Sequence, residues 1–189
     1  MTRIRLSVIP AGASQRESAL CNDPHFKTRI ILMSVWIKSS FAFLFLMVSF
    51  AVLAAPAKVV YHVDFSDVTR YSATLTSINN IINAYEGDLR DYEVSLVFVG
   101  YGIRFVTDDA LKGTPYVADK ALLDRRAELK GRLDTLIKLK NVKAILCDKT
   151  RDEISLDKSK VYPGVSLTPS GVAAIADLQM QGAAYLKIQ

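Results

Sequence analysis

The amino-acid sequence predicts one α/β domain, in which about five mostly parallel strands form a sheet covered by helices on both faces. Short β-rich runs alternate with longer segments whose apolar residues recur every three or four positions, as on one face of a helix. The strand-like runs Val59–Val63, Leu96–Val99 and Ala144–Leu146 are mostly apolar, which is typical of strands buried on both faces. The helical segments are long enough to connect parallel neighbours.

The order of elements follows from these patterns and from the turn and cap residues between them. The predicted strands are residues 58–65, 92–99, 142–147, 165–167 and 183–188. The predicted helices are residues 68–85, after Ser66 or Asp67 as N-cap, residues 121–139, and a helix reaching Gln181 that Thr168 or Ser170 caps. Gly100-Tyr101-Gly102 permits a tight turn at a strand end. Residues 103–120 form a loop or short helix, and residues 148–162 a polar loop with one helical turn around residues 154–156.

The arrangement that we prefer is flavodoxin-like, with the five strands in the order 2-1-3-4-5. In that order the first and third strands are neighbours. Residues 64–66 and 147–150 would then leave the sheet side by side at its carboxyl edge, where ligands and reactive groups gather in such folds.

An apolar run precedes the predicted domain. Residues 41–53 carry no charge, and Lys38 precedes them. The run is shorter than the ~20 residues of a membrane-spanning helix, and small residues follow it, as a signal peptidase requires. We predict a signal peptide over residues 33–54 with cleavage near Ala54, a domain over residues 55–189, a periplasmic or secreted location, and no membrane anchor after cleavage.

The residues before the predicted cleavage site change the electrostatic interpretation. Residues 1–54 account for +4 of the formal net charge of +5. The remaining domain is close to neutral, so the sequence gives no indication of nucleic-acid binding. Residues 1–32 are either the product of a misassigned start codon upstream of Met33 or a real extended leader.

Two cysteines, Cys21 and Cys147, occur in the chain, and only Cys147 would remain after cleavage. A single thiol cannot form an intramolecular disulfide, so Cys147 is a buried structural residue, an intermolecular link or a reactive group. The absence of a Cys-x-x-Cys motif excludes thioredoxin-type exchange within one chain. With one histidine and one cysteine, the domain is predicted to hold no metal site. No glycine-rich phosphate loop follows the first strand, so no cofactor is predicted.

His62 and Asp64 are the other residues considered for chemistry. His62 could act as a base toward Cys147, but it lies mid-strand and is better interpreted as a satisfied core histidine. Asp64 is either a strand-end acid or a helix cap. Asp148, directly after the thiol, would oppose a stabilised thiolate, and Lys149 and Arg151 could compensate for it.

Several segments resemble the DsrE/DsrF-like family of small sulfur-relay proteins. They are the opening Lys58-Val59-Val60-Tyr61-His62-Val63-Asp64, the pair Cys147 and Thr150, the run Tyr162-Pro163-Gly164-Val165, the run Thr168-Pro169-Ser170-Gly171-Val172, and residues 178–187. The resemblance implies a flavodoxin-like fold, assembly into homo- or hetero-oligomers, of which we expect a homo-oligomer, and in some members a cysteine that carries sulfane sulfur as a persulfide. Only Cys147 inherits a chemical role. Asp148-Lys149-Thr150 replaces the Gly-Asn-Thr that usually follows this cysteine.

These residues support three functional hypotheses. In the first, an exported member of this family accepts sulfur on Cys147 from a donor protein or passes it to an acceptor, as a carrier without a classical active site. In the second, the protein is a non-catalytic oligomeric scaffold in which Cys147 is structural. In the third, Cys147 links two chains through a disulfide.

Overall fold

The computed structural model describes residues 55–189, which form one α/β domain. Its strands are β1 (Ala57–Val63), β2 (Tyr92–Phe98), β3 (Lys143–Cys147), β4 (Val165–Thr168) and β5 (Ala184–Leu186). Its α-helices are α1 (Val68–Gly87), α2 (Lys120–Leu139), α3 (Asp148–Glu153) and α4 (Gly171–Met180), and short 3-10 helices span Gly100–Phe105 and Lys158–Lys160. All the pairings between these five strands are parallel. The predicted fold class is therefore confirmed.

The order of strands in the sheet is β4-β3-β2-β1-β5. The predicted order 2-1-3-4-5 is wrong, because β2 lies between β1 and β3. Successive strands from β1 to β4 are each added at the same side, and β5 then pairs with the free edge of β1. The direction of strand addition therefore reverses between β1 and β5, and not between β1 and β3.

The handedness of the connections explains why helices cover both faces of this sheet. Parallel crossovers are almost always right-handed, so a change in the direction of strand addition moves the connecting helix to the opposite face. Helices α1 and α2 pack against each other and against one core, whereas α4 crosses under β3, β2 and β1 on its way from β4 to β5. Coverage of both faces is confirmed, and α4 lies on the second face because β5 is on the far side of β1.

The two faces of the sheet are covered unequally. The face beneath α1 and α2 contains the main core, which includes Tyr61, Tyr71 and Phe98, all at most 1% exposed. Tyr71 stacks on Phe105 with ring centroids 4.1 Å apart. The face beneath α4 has a smaller buried cluster, formed by Val60, Val97, Ile175 and Ala183. One short helix therefore covers most of what is buried on that side.

The side-chain caps of α1 and α4 occur where the local sequence predicts them, but one predicted helical turn does not. The Asp67 carboxylate accepts the Arg70 backbone N–H at 2.6 Å and begins α1, and Ser170 caps α4 by accepting from the Ala173 N–H at 3.3 Å. The helical turn predicted around residues 154–156 is wrong in position, because α3 begins immediately after β3 at Asp148. The backbone leaves the helical region at Ser155, where φ is +54°.

The predicted signal peptide and the predicted leader, residues 1–54, lie outside the described residues. Within residues 55–189, no helix combines the length and the apolar character needed to cross a membrane. Export therefore stays a prediction.

Candidate functional site at Cys147

Cys147 joins a strand to a helix without an intervening loop. It is the last residue of β3 and the N-cap of α3, which begins at Asp148. Its side chain is 6% exposed and lies against the start of α4. The thiol is therefore at the carboxyl edge of the sheet, where it is held by backbone on both sides.

Gly171 allows α4 to approach the thiol closely. A Cβ at this position would lie 2.6 Å from Val99 Cγ2 and 3.0 Å from Cys147 Cβ. The contact with Val99 is shorter than Cβ atoms show, and Cys147 Cβ cannot rotate away because the backbone fixes it, so a larger residue would push the N-terminus of α4 away from the sulfur. The glycine therefore fixes the distance between the helix and Cys147.

The hydrogen-bond donors around the sulfur lower the pKa of the Cys147 thiol. Burial alone raises this pKa, but the backbone N–H groups of Gly171, Thr150 and Lys149, together with the Thr150 hydroxyl, outweigh that effect and hold it below its ordinary value. These donors stabilise the charged form of the thiol. A larger thiolate fraction follows, and the thiolate is the nucleophilic form.

Thr150 connects the thiol to the loop after β2. Its hydroxyl oxygen accepts the Gly100 backbone N–H at 3.1 Å, and its side chain is buried. Since one lone pair of the hydroxyl is used in this way, its proton remains available for the sulfur. Gly100 has a φ of +53°, the left-handed conformation that glycine adopts without strain.

Asp148 does not act against the thiolate as strongly as the sequence suggests. Its carboxylate accepts a hydrogen bond from Arg151 Nε and lies 3.7 Å from Lys158 Nζ. The Arg151 guanidinium is the main reason that the pKa of Asp148 is below its usual range. Arg151 is itself buried and donates to the Leu156 carbonyl at 2.6 Å. The negative charge beside Cys147 is thus neutralised locally.

Two tyrosines stand near the thiol. Tyr101 and Tyr116 meet edge to face, with ring centroids 5.4 Å apart. Burial raises the pKa of Tyr116, and the nearby charges of Glu153, Tyr101 and Cys147 raise it further. Tyr101 is exposed, and it packs on Tyr116, the tyrosine that interacts with Cys147.

His62 and Asp64 are not part of this site. Because β2 separates β1 from β3, the backbones of β1 and β3 are about 10 Å apart. His62 is half-buried, and its Nδ1 lies 2.9 Å from the Tyr185 hydroxyl. Asp64 accepts from Lys187 Nζ at 2.6 Å. The expected juxtaposition of residues 64–66 with Cys147 is therefore wrong.

The surroundings of His62 predict a dependence of stability on pH. Burial is the main reason that the pKa of His62 is lowered, with Asp64 raising it and Lys187 lowering it. The Nε2 atom is buried and has no hydrogen-bond partner among the described residues. Since the unfolded state binds a proton first, stability is complete above the ordinary pKa of 6.5 and falls as the pH drops below it.

We therefore expect the urea midpoint of unfolding to decrease between about pH 7.5 and about pH 5.5, a range in which carboxylates of lowered pKa stay ionised. His62→Gln is the control, and it should lose most of this decrease because glutamine does not titrate. An equal decrease in the His62→Gln variant would contradict the assignment.

Sequence reasoning missed the two contacts that define the thiol environment. Gly171 and Thr150 both occur in the family-like segments, but their positions around the sulfur depend on how α4 and the loop at Gly100 pack. A glycine immediately after the capping Ser170, inside a helix start, was the available signal for a close approach.

Cys147 is the free cysteine of the described residues. A single cysteine is wrong as a count for the whole chain, which contains two. Cys21 lies outside the described residues, and its removal by cleavage stays a prediction. Within residues 55–189, no group of three or more His, Cys, Asp or Glu side chains is placed to hold a metal ion.

The chain is similar to proteins of one family. The model of the DsrE/DsrF-like family matches residues 58–188. Among solved structures, the protein of unknown function MTH1491 from Methanobacterium thermoautotrophicum is 21% identical, with 69% of this chain and 98% of that chain covered and a TM-score of 0.52. The ychN protein from E. coli is 15% identical, with 70% and 99% covered and a TM-score of 0.47. Among curated proteins, none matches.

The family match extends from the first residues of β1 to the end of the described sheet, and it includes Cys147 and Gly171. The likeness to MTH1491 supports the same fold. On the extent of this match, the chain belongs to the DsrE/DsrF-like family.

Proposed function

We propose that the protein is an exported sulfur carrier that accepts sulfane sulfur on Cys147 and holds it as a persulfide. The observation that carries this proposal is the thiol between the starts of α3 and α4, with its pKa below the ordinary value. Family membership is consistent with a role of the sulfur-relay type. Export is supported only by the apolar run at residues 41–53 and the small residues that follow it.

The chemistry requires one nucleophilic step. The Cys147 thiolate attacks the outer sulfur of a donor persulfide, the sulfur–sulfur bond of the donor breaks, and the donor leaves as a thiolate. The products are Cys147 persulfide and the donor thiolate, so no separate oxidant is needed. Backbone N–H groups stabilise the attacking thiolate, and no second residue has to transfer a proton.

Intact-mass measurement tests the proposal directly. Protein carrying Cys21→Ser, which leaves Cys147 as the sole thiol, is incubated with a low-molecular-weight persulfide. We expect a mass gain of one sulfur atom that a reducing agent reverses. Adding Cys147→Ser to the same protein should abolish the gain. A gain that survives Cys147→Ser, or no gain in protein whose thiol is intact, would contradict the proposal.

The burial of Cys147 supports a second candidate function. At 6% exposure the thiol resembles a structural core residue, as expected for a non-catalytic scaffold that keeps the fold. Native alkylation distinguishes the two: a scaffold thiol reacts only when the protein unfolds, whereas a carrier thiol reacts in the folded state. The same burial leaves little room for an intermolecular disulfide, whose Cβ atoms must come within about 4 Å of each other.

Assembly into a homo-oligomer stays a prediction. Val172 and Met180 of α4 are 63% and 77% exposed, and Tyr185 of β5 is 40% exposed. These apolar side chains lie on or beside the less covered face of the sheet and support an interface there.

A further inference from the structure

A pocket lies between α2 and the turn that precedes β4, on the face of the sheet opposite α4. Its volume is about 470 Å³, and Ala127, Gly131, Leu133, Ile137, Tyr162 and Pro163 line it. This volume is in the range of small-molecule sites. Cys147 does not line the pocket, so a ligand bound there would be independent of the proposed sulfur chemistry.

The turn that forms one wall is held firmly. The Tyr162 hydroxyl donates to the Thr107 carbonyl at 3.0 Å or to Asp108 Oδ1 at 2.7 Å, and the ring is buried. Gly164 has a φ of +88°, and a Cβ there would lie 3.0 Å from Ile137 Cγ2. The turn therefore packs directly on α2 and keeps the wall of the pocket in place.

Gly131 keeps the other wall open. It lies in the middle of the 20-residue helix α2, where glycine weakens a helix relative to alanine. A Cβ at this position would meet nothing within 4 Å, so packing against the rest of the domain does not require glycine. The residue leaves empty space along the stripe that also carries Ala127 and Ile137.

The charges at the rim are paired with each other. Lys130 Nζ lies 2.5 Å from Asp108 Oδ2 and 4.3 Å from the centre of the Tyr162 ring. Lys138 Nζ lies 2.8 Å from Asp134. Each ammonium group therefore has a carboxylate partner, so these pairs leave no uncompensated charge to attract an ion. The lining of the pocket favours apolar groups of a ligand, and the paired charges at the rim carry no net charge.

We propose that this pocket binds an uncharged, mainly apolar small molecule of about two to three rings in size. The apolar lining supplies the driving force and disfavours burial of a charged group, and the paired charges at the rim do not attract ions. The ligand lies against Ile137 and Pro163 and fills the space left by Gly131.

Fluorescence titration of the folded, full chain tests the site. The probe is the uncharged dye N-phenyl-naphthylamine, and anilinonaphthalene sulfonate is its anionic counterpart. We expect saturable binding of the uncharged dye and weaker binding of the sulfonate. Gly131→Leu should weaken binding of the uncharged dye about ten-fold, because its side chain occupies the pocket. Ala121→Leu adds one carbon fewer at an exposed position of α2 outside the pocket, and it should bind like the wild type.

A second variant and a dilution series complete the test. Gly131→Ala should fold at least as stably as the wild type, by its helix propensity, and bind the dye with intermediate affinity. Equal affinity of Gly131→Leu and Ala121→Leu would overturn the site, and so would tighter binding of the sulfonate. Dye affinity that weakens as protein concentration rises would also overturn it, because a second copy would then cover the pocket.

Discussion

Gly102→Ala is expected to lower the free energy of unfolding by about 3 kcal/mol. A Cβ at position 102 would lie 2.2 Å from the Val63 carbonyl oxygen and 3.3 Å from Phe98 Cβ. Val63 is the last residue of β1, and its backbone carbonyl also accepts the Val99 N–H at 2.9 Å. Neither neighbour can rotate away, so the 3-10 helix must move off the sheet and expose Ile103 and Phe105, which it now buries.

Urea denaturation measures this effect, with Gly87→Ala as the matched control. Position 87 is the last residue of α1, and a Cβ there would meet nothing within 4 Å. The control should therefore unfold at the same urea concentration as the wild type or at a slightly higher one, since alanine favours the helix. Equal unfolding midpoints for the two variants would show that the close approach at Gly102 is not needed.

Gly171→Ala is expected to slow alkylation of Cys147 near neutral pH by about five- to ten-fold. The added methyl group forces the start of α4 away from Val99 and Cys147, which removes the Gly171 N–H from the sulfur. With one stabilising donor gone, the pKa of the thiol rises and the thiolate fraction falls. The measurement is the alkylation rate of the folded protein, in a Cys21→Ser background, as a function of pH.

The pH dependence separates electrostatics from access to the thiol. At alkaline pH the Cys147 thiol is fully ionised in both proteins. Their alkylation rates should therefore converge if the substitution acts only on the pKa of the thiol. An alkylation rate that is higher in Gly171→Ala at every pH would mean that burial of the thiol, and not its protonation, limits its reaction. Gly87→Ala again supplies the control, and it should react like the unchanged protein.

Most elements were predictable because their signals are local. Periodicity defines α1 and α2 nearly to the residue, and side-chain caps such as Asp67 mark helix starts. The run from residue 142 identifies β3 and its terminal cysteine. Family membership could also be inferred from the segments around Cys147 and Gly171, and the match over residues 58–188 confirms it.

Strand order was not predictable in the same way. Nothing in Ala184–Leu186 itself indicates that β5 pairs with β1 rather than with β4, because edge choice depends on the path of α4 across the whole sheet. The environment of the thiol could not be predicted for the same reason. Gly171 is distant from Cys147 in the chain and reaches it only because α4 takes that path. The error in strand order therefore also misplaced Asp64 relative to the thiol.

The direct junction between β3 and α3 restricts how far the sulfur of Cys147 can travel. Carrier groups on long side chains or flexible loops swing between distant sites, whereas this sulfur is one bond from a Cβ whose backbone belongs to a strand and a helix at once. Side-chain rotation moves it by less than its own diameter. Any molecule that reacts with this thiol must therefore bring its own reacting atom to the carboxyl edge of the sheet.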